Sequence, residues 1–298
     1  MKIGFAGLGV MGGPMARHLV AAGHTVSGYN RSSAKAQAWA DANGGAFAAT
    51  VADAAKGAEL FILCVGNDDD VRQVVSEALP HLADGAVIVD HTTTSAKVAR
   101  EMAALAAGQG ASFIDAPVSG GQAGAENGQL SVMAGGDAEA LTRVEPVLMS
   151  YSKAIKHMGP AGAGQLTKMV NQICIAGVVQ GIAEAVHFAQ SAGLDTDAVY
   201  DAVSKGAAQS WQMDNRWKTA ARGEFDFGFA VDWMRKDLGL VLDEARANGS
   251  HLALTALVDQ FYSEVQSMGG SRWDTSSLTA RLQQRQSRNS PSGASGSD

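Results

Sequence analysis

A glycine-rich turn directly behind the first apolar run constrains this chain more than any other feature. Residues 3–8 read as a short buried strand and residues 14–22 as a helix. Between them, Gly7-Leu8-Gly9-Val10-Met11-Gly12 fits the spacing G-x-G-x-x-G. In that setting each glycine has a physical reason. Gly7 permits the tight turn, Gly9 lets a pyrophosphate approach the backbone, and Gly12 lets the helix pack closely on the strand. The helix start offers phosphate its free N–H groups and the positive end of its dipole. The motif therefore predicts a dinucleotide-binding unit. A plain glycine turn would explain the composition but not the placement.

The segments that follow extend that unit. Strand-like runs at 25–29, 60–65, 86–90 and 112–116 alternate with helical patterns at 33–42, 71–78 and 95–107. The polar loop 67–70 supplies short side-chain oxygens suited to capping the helix at 71–78. This alternation predicts an α/β fold of Rossmann type, with a doubly wound parallel sheet and right-handed crossovers. Runs at 130–134 and 154–157 are expected to extend the sheet around a helix at 138–150. Beyond Gly164 the strand signal stops. Helices are expected at 165–192, 196–204, 229–247 and 252–268, so the second part reads as an all-α C-terminal domain. The expected division is 1–163 for the NAD(P)-binding domain, 164–283 for a helical substrate and dimerisation domain, and 284–298 for a disordered tail.

The end of the second strand bears on which dinucleotide binds. An NAD-specific site carries Asp or Glu there, whereas Tyr29-Asn30-Arg31-Ser32 has no acid. Asn30 suits a ribose hydroxyl, and Arg31 with Ser32 suits a 2′-phosphate, so NADP(H) is the expected preference, with NAD(H) also possible. The alternative leaves Arg31 as a solvated loop residue. A net charge of -7, with no basic run of five or more, speaks against nucleic acid. Cys64, Cys174 and the histidines lack metal-ligand spacing, so no metal is expected. The N-terminus reads as a strand and not a signal peptide. The apolar stretch 173–182 is interrupted by Gly177, Gln180 and Gly181, which points to a cytoplasmic chain with no membrane span.

Three further segments follow the glycine loop in order. They are Asp115-Ala116-Pro117-Val118-Ser119-Gly120-Gly121, Gly162-Ala163-Gly164-Gln165-Leu166-Thr167-Lys168-Met169-Val170-Asn171-Gln172, and Lys236-Asp237-Leu238-Gly239-Leu240. Together with that loop they resemble the β-hydroxyacid dehydrogenases. That family includes 3-hydroxyisobutyrate dehydrogenase, tartronate semialdehyde reductase and the glyoxylate/succinic semialdehyde reductases. The resemblance implies reversible hydride transfer between a nicotinamide cofactor and a small 3-hydroxyacid or the matching semialdehyde.

It also implies roles for residues. Lys168 corresponds to the general acid/base. Asn171, three residues on and on the same helix face, would hold the substrate hydroxyl or orient the amine. Ser119, Gly120 and Gly121 correspond to the substrate-carboxylate loop, where one hydroxyl and two N–H groups form an anion receptor. A strand-ending turn would look the same. Thr93 matches a position near nicotinamide and substrate, although Thr92 and Thr94 leave the choice of hydroxyl open. Cys64, Val65 and Gly66 should run beneath the cofactor ribose.

Phe229 and Asp237 fit positions lining the substrate pocket, and Lys236 fits the lysine beside the nicotinamide. An exposed Lys236–Asp237 ion pair is the alternative. Gln172 stands where the family often has Asn, and the tartronate semialdehyde reductases share this Asn-Gln pair. An imine reductase or a 6-phosphogluconate dehydrogenase-like enzyme remains open within the superfamily, as does a non-catalytic dinucleotide-binding module from another class. The substrate is expected in a cleft between the domains, and the apolar helical domain suggests a homodimer or homotetramer.

Overall fold

A parallel strand covered on both faces needs an unbroken apolar run, and Leu60-Phe61-Ile62-Leu63 and Val87-Ile88-Val89 have that character. The computed structural model describes residues 1–289, with side chains through Gln284. Its first part runs β1 (Lys2–Ala6), α1 (Gly12–Ala21), β2 (Thr25–Tyr29), α2 (Ser33–Asn43), β3 (Ala46–Phe47), α3 (Val51–Ala55), β4 (Leu60–Leu63) and α4 (Asp68–Ala78). It continues with β5 (Val87–Asp90), α5 (Ala96–Ala107), β6 (Ser112–Asp115), β7 (Val118–Ser119), α6 (Gly121–Glu126), β8 (Leu130–Gly136), α7 (Ala138–Leu148) and β9 (Ser152–Gly159).

The sheet order is β3-β2-β1-β4-β5-β6-β8-β7, with β9 pairing β8. The strands from β3 to β6 are mutually parallel, and β8 runs antiparallel to β6 and β7. Alternate residues of each central strand point to opposite faces. Ile3, Phe5, Leu60, Ile62, Val87 and Val89 pack with Met15, Leu19 and Trp39 on one face. Phe61, Leu63, Ile88 and Phe113 pack with Val71, Val75, Val98 and Ala99 on the other. The Rossmann-type α/β architecture read from the alternation is the one observed.

Several local expectations change. The first strand stops at Ala6, because the chain turns at Gly7, whose φ is +97°. The helix expected at 71–78 begins at Asp68, and Asn67 caps it by accepting the Asp70 N–H at 2.9 Å. The acidic residues therefore occupy the first turn, where they complement the helix dipole. The short α3, β7 and α6 carry too little periodicity to be expected from the sequence.

The second part contains α8 (Ala163–Ser191), α9 (Thr196–Val203), α10 (Trp211–Arg222), α11 (Val231–Asn248), α12 (Ala253–Ser267) and α13 (Leu278–Asn289). Its core joins Ala176, Val179 and Ala183 to Val231, Met234, Leu238, Val258 and Tyr262. A smaller cluster buries Ile182, Val186, Met213 and Trp217. Helix α10 was not expected. Its buried Met213, Trp217 and Ala220 recur at helical spacing, but polar residues dilute the pattern.

The chain divides into two compact units, Met1–Lys168 and a second from Met169. This division falls within α8 and not ahead of it at 163/164. The reason is that the helix's first turns are tied to strands of the first unit. The expected disordered tail also needs correction, since residues 284–289 continue α13; residues 290–298 lie outside the described residues. Helix α8 agrees with the helix expected at 165–192 to within two residues at either end, and its length and composition alone would let it cross a membrane. Buried Gln165, Lys168, Gln172 and Gln180 give it the character of a protein-core helix.

Candidate active site

Strand register brings the sequence motifs together. Tyr29 pairs with Ala6, Ala6 with Leu63, Leu63 with Asp90, and Asp90 with Asp115. These residues form one row at the carboxyl edge of the sheet, so the loops leaving five strands open along the same edge. The strand order reverses between β1 and β4, where open α/β sheets bind their ligands.

The three motif glycines have different structural reasons. A Cβ on Gly7 would stand 2.1 Å from the Cys64 carbonyl oxygen, and one on Gly12 would stand 1.9 Å from the Gly7 carbonyl oxygen. Both positions are closed by the protein's own backbone. A Cβ on Gly9 would meet nothing within 4 Å. Gly9 therefore leaves open space over the start of α1, which is the cradle a pyrophosphate needs.

Asn30 braces this loop. Its Oδ1 accepts the Leu8 N–H at 3.2 Å, and its Nδ2 donates to the Ser32 carbonyl at 3.4 Å. Arg31 has an 82% exposed side chain and stands 3.5 Å from Asp70 Oδ1. The other Asp70 oxygen takes the Gly66 N–H at 3.0 Å. Asp70, expected from the sequence only as part of a helix-capping loop, thus links the β2 and β4 loops. The Ser32 side chain makes no capping hydrogen bond at the start of α2, and no acid occupies that helix's first turn.

The three adjacent threonines differ in burial. Thr92 is buried, and its Oγ1 accepts the Val65 N–H at 3.0 Å. Thr94 is also buried, while Thr93 is half-buried. Gln165 clamps the segment: its Nε2 donates to the Thr92 carbonyl at 2.8 Å and its Oε1 accepts the Thr94 N–H at 3.0 Å. Asp115 anchors the same helix start by accepting N–H groups from Gly162 at 2.8 Å and Gln165 at 2.9 Å. Burial pushes its carboxyl above the usual range, and these donors pull it back. A Cβ on Gly164 would stand 2.3 Å from the Met133 carbonyl oxygen, so the second glycine of the Gly162-Ala163-Gly164 motif serves close packing.

That anchoring aims Lys168. Its side chain is buried, with the residue 8% exposed, and Nζ donates to the Val118 carbonyl at 2.9 Å. The next residues are half-buried Ser119 and exposed Gly120 and Gly121, both glycines at positive φ. The ammonium and the expected carboxylate loop therefore meet within the first unit.

His91 ties the residues that lead into this loop. Its Nδ1 lies 2.6 Å from the Ala116 carbonyl oxygen and its Nε2 lies 2.7 Å from the Tyr151 hydroxyl. A carbonyl only accepts, so Nδ1 carries the hydrogen, and the neutral ring accepts the Tyr151 O–H at Nε2. Burial lowers the His91 pKa to about 4, partly offset by the Ala116 hydrogen bond. Burial also pushes the Tyr151 hydroxyl well above its usual range. The unfolded chain takes up a proton near pH 6.5, which the folded chain excludes until about 4. Stability present above pH 6.5 is thus expected to decline as pH falls through this window, by about 3 kcal/mol from His91. Asp115 contributes with the opposite sign, since a raised carboxyl favours the fold at low pH. Urea unfolding at pH 7 and 4.5 checks the prediction. His91→Gln should flatten the slope, and an unchanged slope would rule His91 out as its source.

In the second unit, Asn171 Nδ2 donates to Gln172 Oε1 at 2.8 Å, and Gln172 Nε2 donates to Asp237 Oδ2 at 2.6 Å. Lys236 Nζ stands 3.2 Å from Asp237 Oδ1, with Asp237 3% exposed. The pair is therefore mostly buried, unlike the exposed ion pair considered from the sequence. Phe229 lies on an exposed segment before α11, where its N–H donates to Asp274 at 3.0 Å. Among the described residues, no group of three or more His, Cys, Asp or Glu is placed to hold a metal.

Known proteins resemble this chain over nearly its whole length. The family model for the NAD binding domain of 6-phosphogluconate dehydrogenase matches residues 2–159. That described as NAD-binding of NADP-dependent 3-hydroxyisobutyrate dehydrogenase matches residues 162–282. An uncharacterized oxidoreductase of Shewanella frigidimarina is 62% identical, over 96% of this chain and 99% of its own. The structure of Mycobacterium tuberculosis 3-hydroxyisobutyrate dehydrogenase with L-serine is 33% identical, with a TM-score of 0.86, covering 94% of this chain and 98% of that one. Psf3 in complex with NADP+ and 2-OPP is 26% identical, with a TM-score of 0.85, covering 94% and 99%. With both halves matched and a glycine loop shaped for a dinucleotide, the chain belongs to the β-hydroxyacid dehydrogenase family of NAD(P)-dependent oxidoreductases.

Proposed function

We propose that this protein is an NADP(H)-preferring enzyme interconverting a small 3-hydroxyacid and its semialdehyde, in the 3-hydroxyisobutyrate, tartronate, succinic semialdehyde and glyoxylate class. The observation that carries this reading is the buried Lys168 ammonium held on the Val118 carbonyl, one residue before Ser119-Gly120-Gly121. A proton donor beside an anion receptor is what reduction of a carboxylate-bearing aldehyde requires. The nicotinamide, when bound, supplies or accepts the hydride at the substrate carbon.

The chain's own residues do the rest. Ser119 Oγ and the N–H groups of Gly120 and Gly121 take the carboxylate, which fixes the pose. Lys168 Nζ gives a proton to the aldehyde oxygen during reduction and removes it from the hydroxyl during oxidation. Asn171 holds the reacting oxygen or the amine, Thr93 lies near the nicotinamide, and Lys236, Asp237 and Phe229 belong to the substrate and nicotinamide surroundings. The mycobacterial dehydrogenase with L-serine, itself a 3-hydroxyacid, supports the substrate class, and Psf3 with NADP+ supports the cofactor.

The cofactor preference rests on the absence of an acid after Tyr29, on the exposed Arg31 guanidinium, and on Ser32 at the start of α2. Arg31→Ala is expected to lower kcat/KM with NADPH about tenfold and with NADH less than about twofold. Equal losses with both cofactors would exclude a 2′-phosphate contact. A cytoplasmic homodimer or homotetramer is part of the same proposal, supported by exposed Val170, Phe188, Leu254 and Leu257 in the helical unit. Light scattering reads the oligomer size directly.

The deciding experiment follows NADPH and NADH oxidation against glyoxylate and the succinic, tartronate and methylmalonate semialdehydes. Turnover faster with NADPH supports the proposal. Intact cofactor binding with no turnover on any of them moves the reading to imine chemistry or a binding role.

A further inference from the structure

The loops that leave β4 and β5 are tied to each other at two places, each joining residues 27 apart in sequence. At the first, the Val65 N–H donates to Thr92 Oγ1 at 3.0 Å. At the second, Asp68 Oδ1 accepts the Ser95 N–H at 3.0 Å and Asp68 Oδ2 accepts the Ser95 O–H at 2.5 Å. Ser95 Oγ in turn accepts the Val98 N–H at 3.0 Å and so caps α5. Thr93 lies in the chain between the two tied residues. Two charge-assisted bonds to one carboxylate fix the position and the orientation of Ser95 together.

The three acids that open α4 have separate tasks. Asp69 has a 93% exposed side chain and pairs with Arg72 of its own helix. Asp70 holds Gly66 and faces Arg31. Asp68 reaches the β5 loop. All three would complement the helix dipole alike, so the dipole does not explain why Asp68 is half-buried against Ser95. Joining the two helices does not explain it either. Val71 and Val75 of α4 share a core with Val98 and Met102 of α5, and Arg72 Nε donates to Glu101 Oε2 at 2.9 Å.

We propose that Asp68 is a positioning residue for the step at the substrate, acting through Ser95 on the loop that carries Thr93. It stands just past residues 64–66, over which the cofactor ribose is expected, yet its effect falls at the other loop. The ties at Val65 and Asp68 make the two loops one body, so the seat of the dinucleotide and the place of Thr93 are set together. The proposal rests on the placing of Thr93 near nicotinamide and substrate.

Three variants test it. D68A removes both bonds to Ser95. D68N keeps them with one reversed: the amide oxygen accepts the Ser95 N–H, and the amide N–H donates to Ser95 Oγ. D69A removes a neighbouring charge from the same helix turn and leaves the tie intact. With NADPH saturating, D68A is expected to lower kcat/KM for the semialdehyde on the order of 30-fold. Its dissociation constant for NADPH, from nicotinamide fluorescence, should stay within about twofold of the parent's. D68N and D69A should keep kcat/KM within about threefold. Melting temperatures show that each protein is folded. Should D68A not fold, Ser95→Ala, which removes one of the two bonds, takes its place with an expected loss of about fivefold. A folded D68A as active as D69A overturns the proposal. So does a loss confined to NADPH affinity, which would make Asp68 a support of the cofactor loop only. A D68N as slow as D68A also overturns it, because charge and not the tie would then matter.

Amide hydrogen exchange across residues 92–98, followed by mass spectrometry, gives a measurement independent of turnover. Faster exchange in D68A but not in D69A supports the tie; exchange equal to the parent's in both refutes it. A parent protein that turns over no semialdehyde would count against the proposed function alone, and the exchange data would still decide the tie.

Discussion

Lys168→Ala is expected to lower kcat for semialdehyde reduction by about 10³–10⁴-fold, near the upper range for a general acid/base. Cofactor affinity should stay within about twofold, because general-acid loss falls on the transition state and not on dinucleotide binding. The side chain also has a structural duty, since its Nζ satisfies the Val118 carbonyl at 2.9 Å. Leaving that carbonyl unpaired costs about 1–3 kcal/mol if it stays buried. Lys168→Met, which keeps most of the volume, therefore serves as a second variant, and melting temperatures show that each protein is folded. Stopped-flow and steady-state rates with NADPH provide the check. Activity within tenfold of the parent in a folded variant would remove Lys168 from the chemistry and, with it, the central argument for the proposed reaction.

The largest effect on cofactor binding is expected at the glycine loop, where neighbouring substitutions should fail for opposite reasons. Gly7 adopts φ +97°, and an added Cβ would stand 2.1 Å from the Cys64 carbonyl. Gly7→Ala is expected to destabilise the fold by roughly 2–4 kcal/mol, from backbone strain and overpacking together. Gly12→Ala should behave similarly, because its Cβ would meet the Gly7 carbonyl oxygen at 1.9 Å. Gly9→Ala meets no protein atom within 4 Å. Its melting temperature should hardly change, while the added methyl occupies the space a pyrophosphate would approach. The dissociation constant for NADPH is expected to rise on the order of 100-fold, a loss of about 3 kcal/mol. Calorimetric unfolding and nicotinamide fluorescence titration separate the two outcomes. A Gly9→Ala protein that binds NADPH as tightly as the parent would mean that the phosphates lie elsewhere.

Some of the fold was legible because its signals are local. The strand–glycine–helix order, the alternation through residue 116 and the long helix carrying Lys168 each span few residues and follow from side-chain period and turn chemistry. Helix α10 was illegible because its apolar residues Met213, Trp217 and Ala220 lie among polar neighbours. The end of α13 was missed for a related reason: residues rich in Gln and Arg resemble a disordered tail until packing holds the helix start at Leu278.

By itself, then, the sequence determined the Rossmann-type unit, the helical second part, the family resemblance, and the candidates at Gly7, Gly9, Gly12, Ser119, Lys168 and Asn171. Only the tertiary structure decided how those candidates are held. It buried Thr92 and Thr94 and left Thr93 half-buried, bound Asn30 to Leu8 across 22 residues, and closed Gln165 onto Thr92 across 73. It also turned the adjacent Lys236 and Asp237 into a mostly buried pair tied to Gln172. The physical reason is that hydrogen-bond partners between elements are chosen by strand register and helix packing. Those depend on the whole core closing at once, whereas periodicity and motif spacing are written into a few consecutive residues.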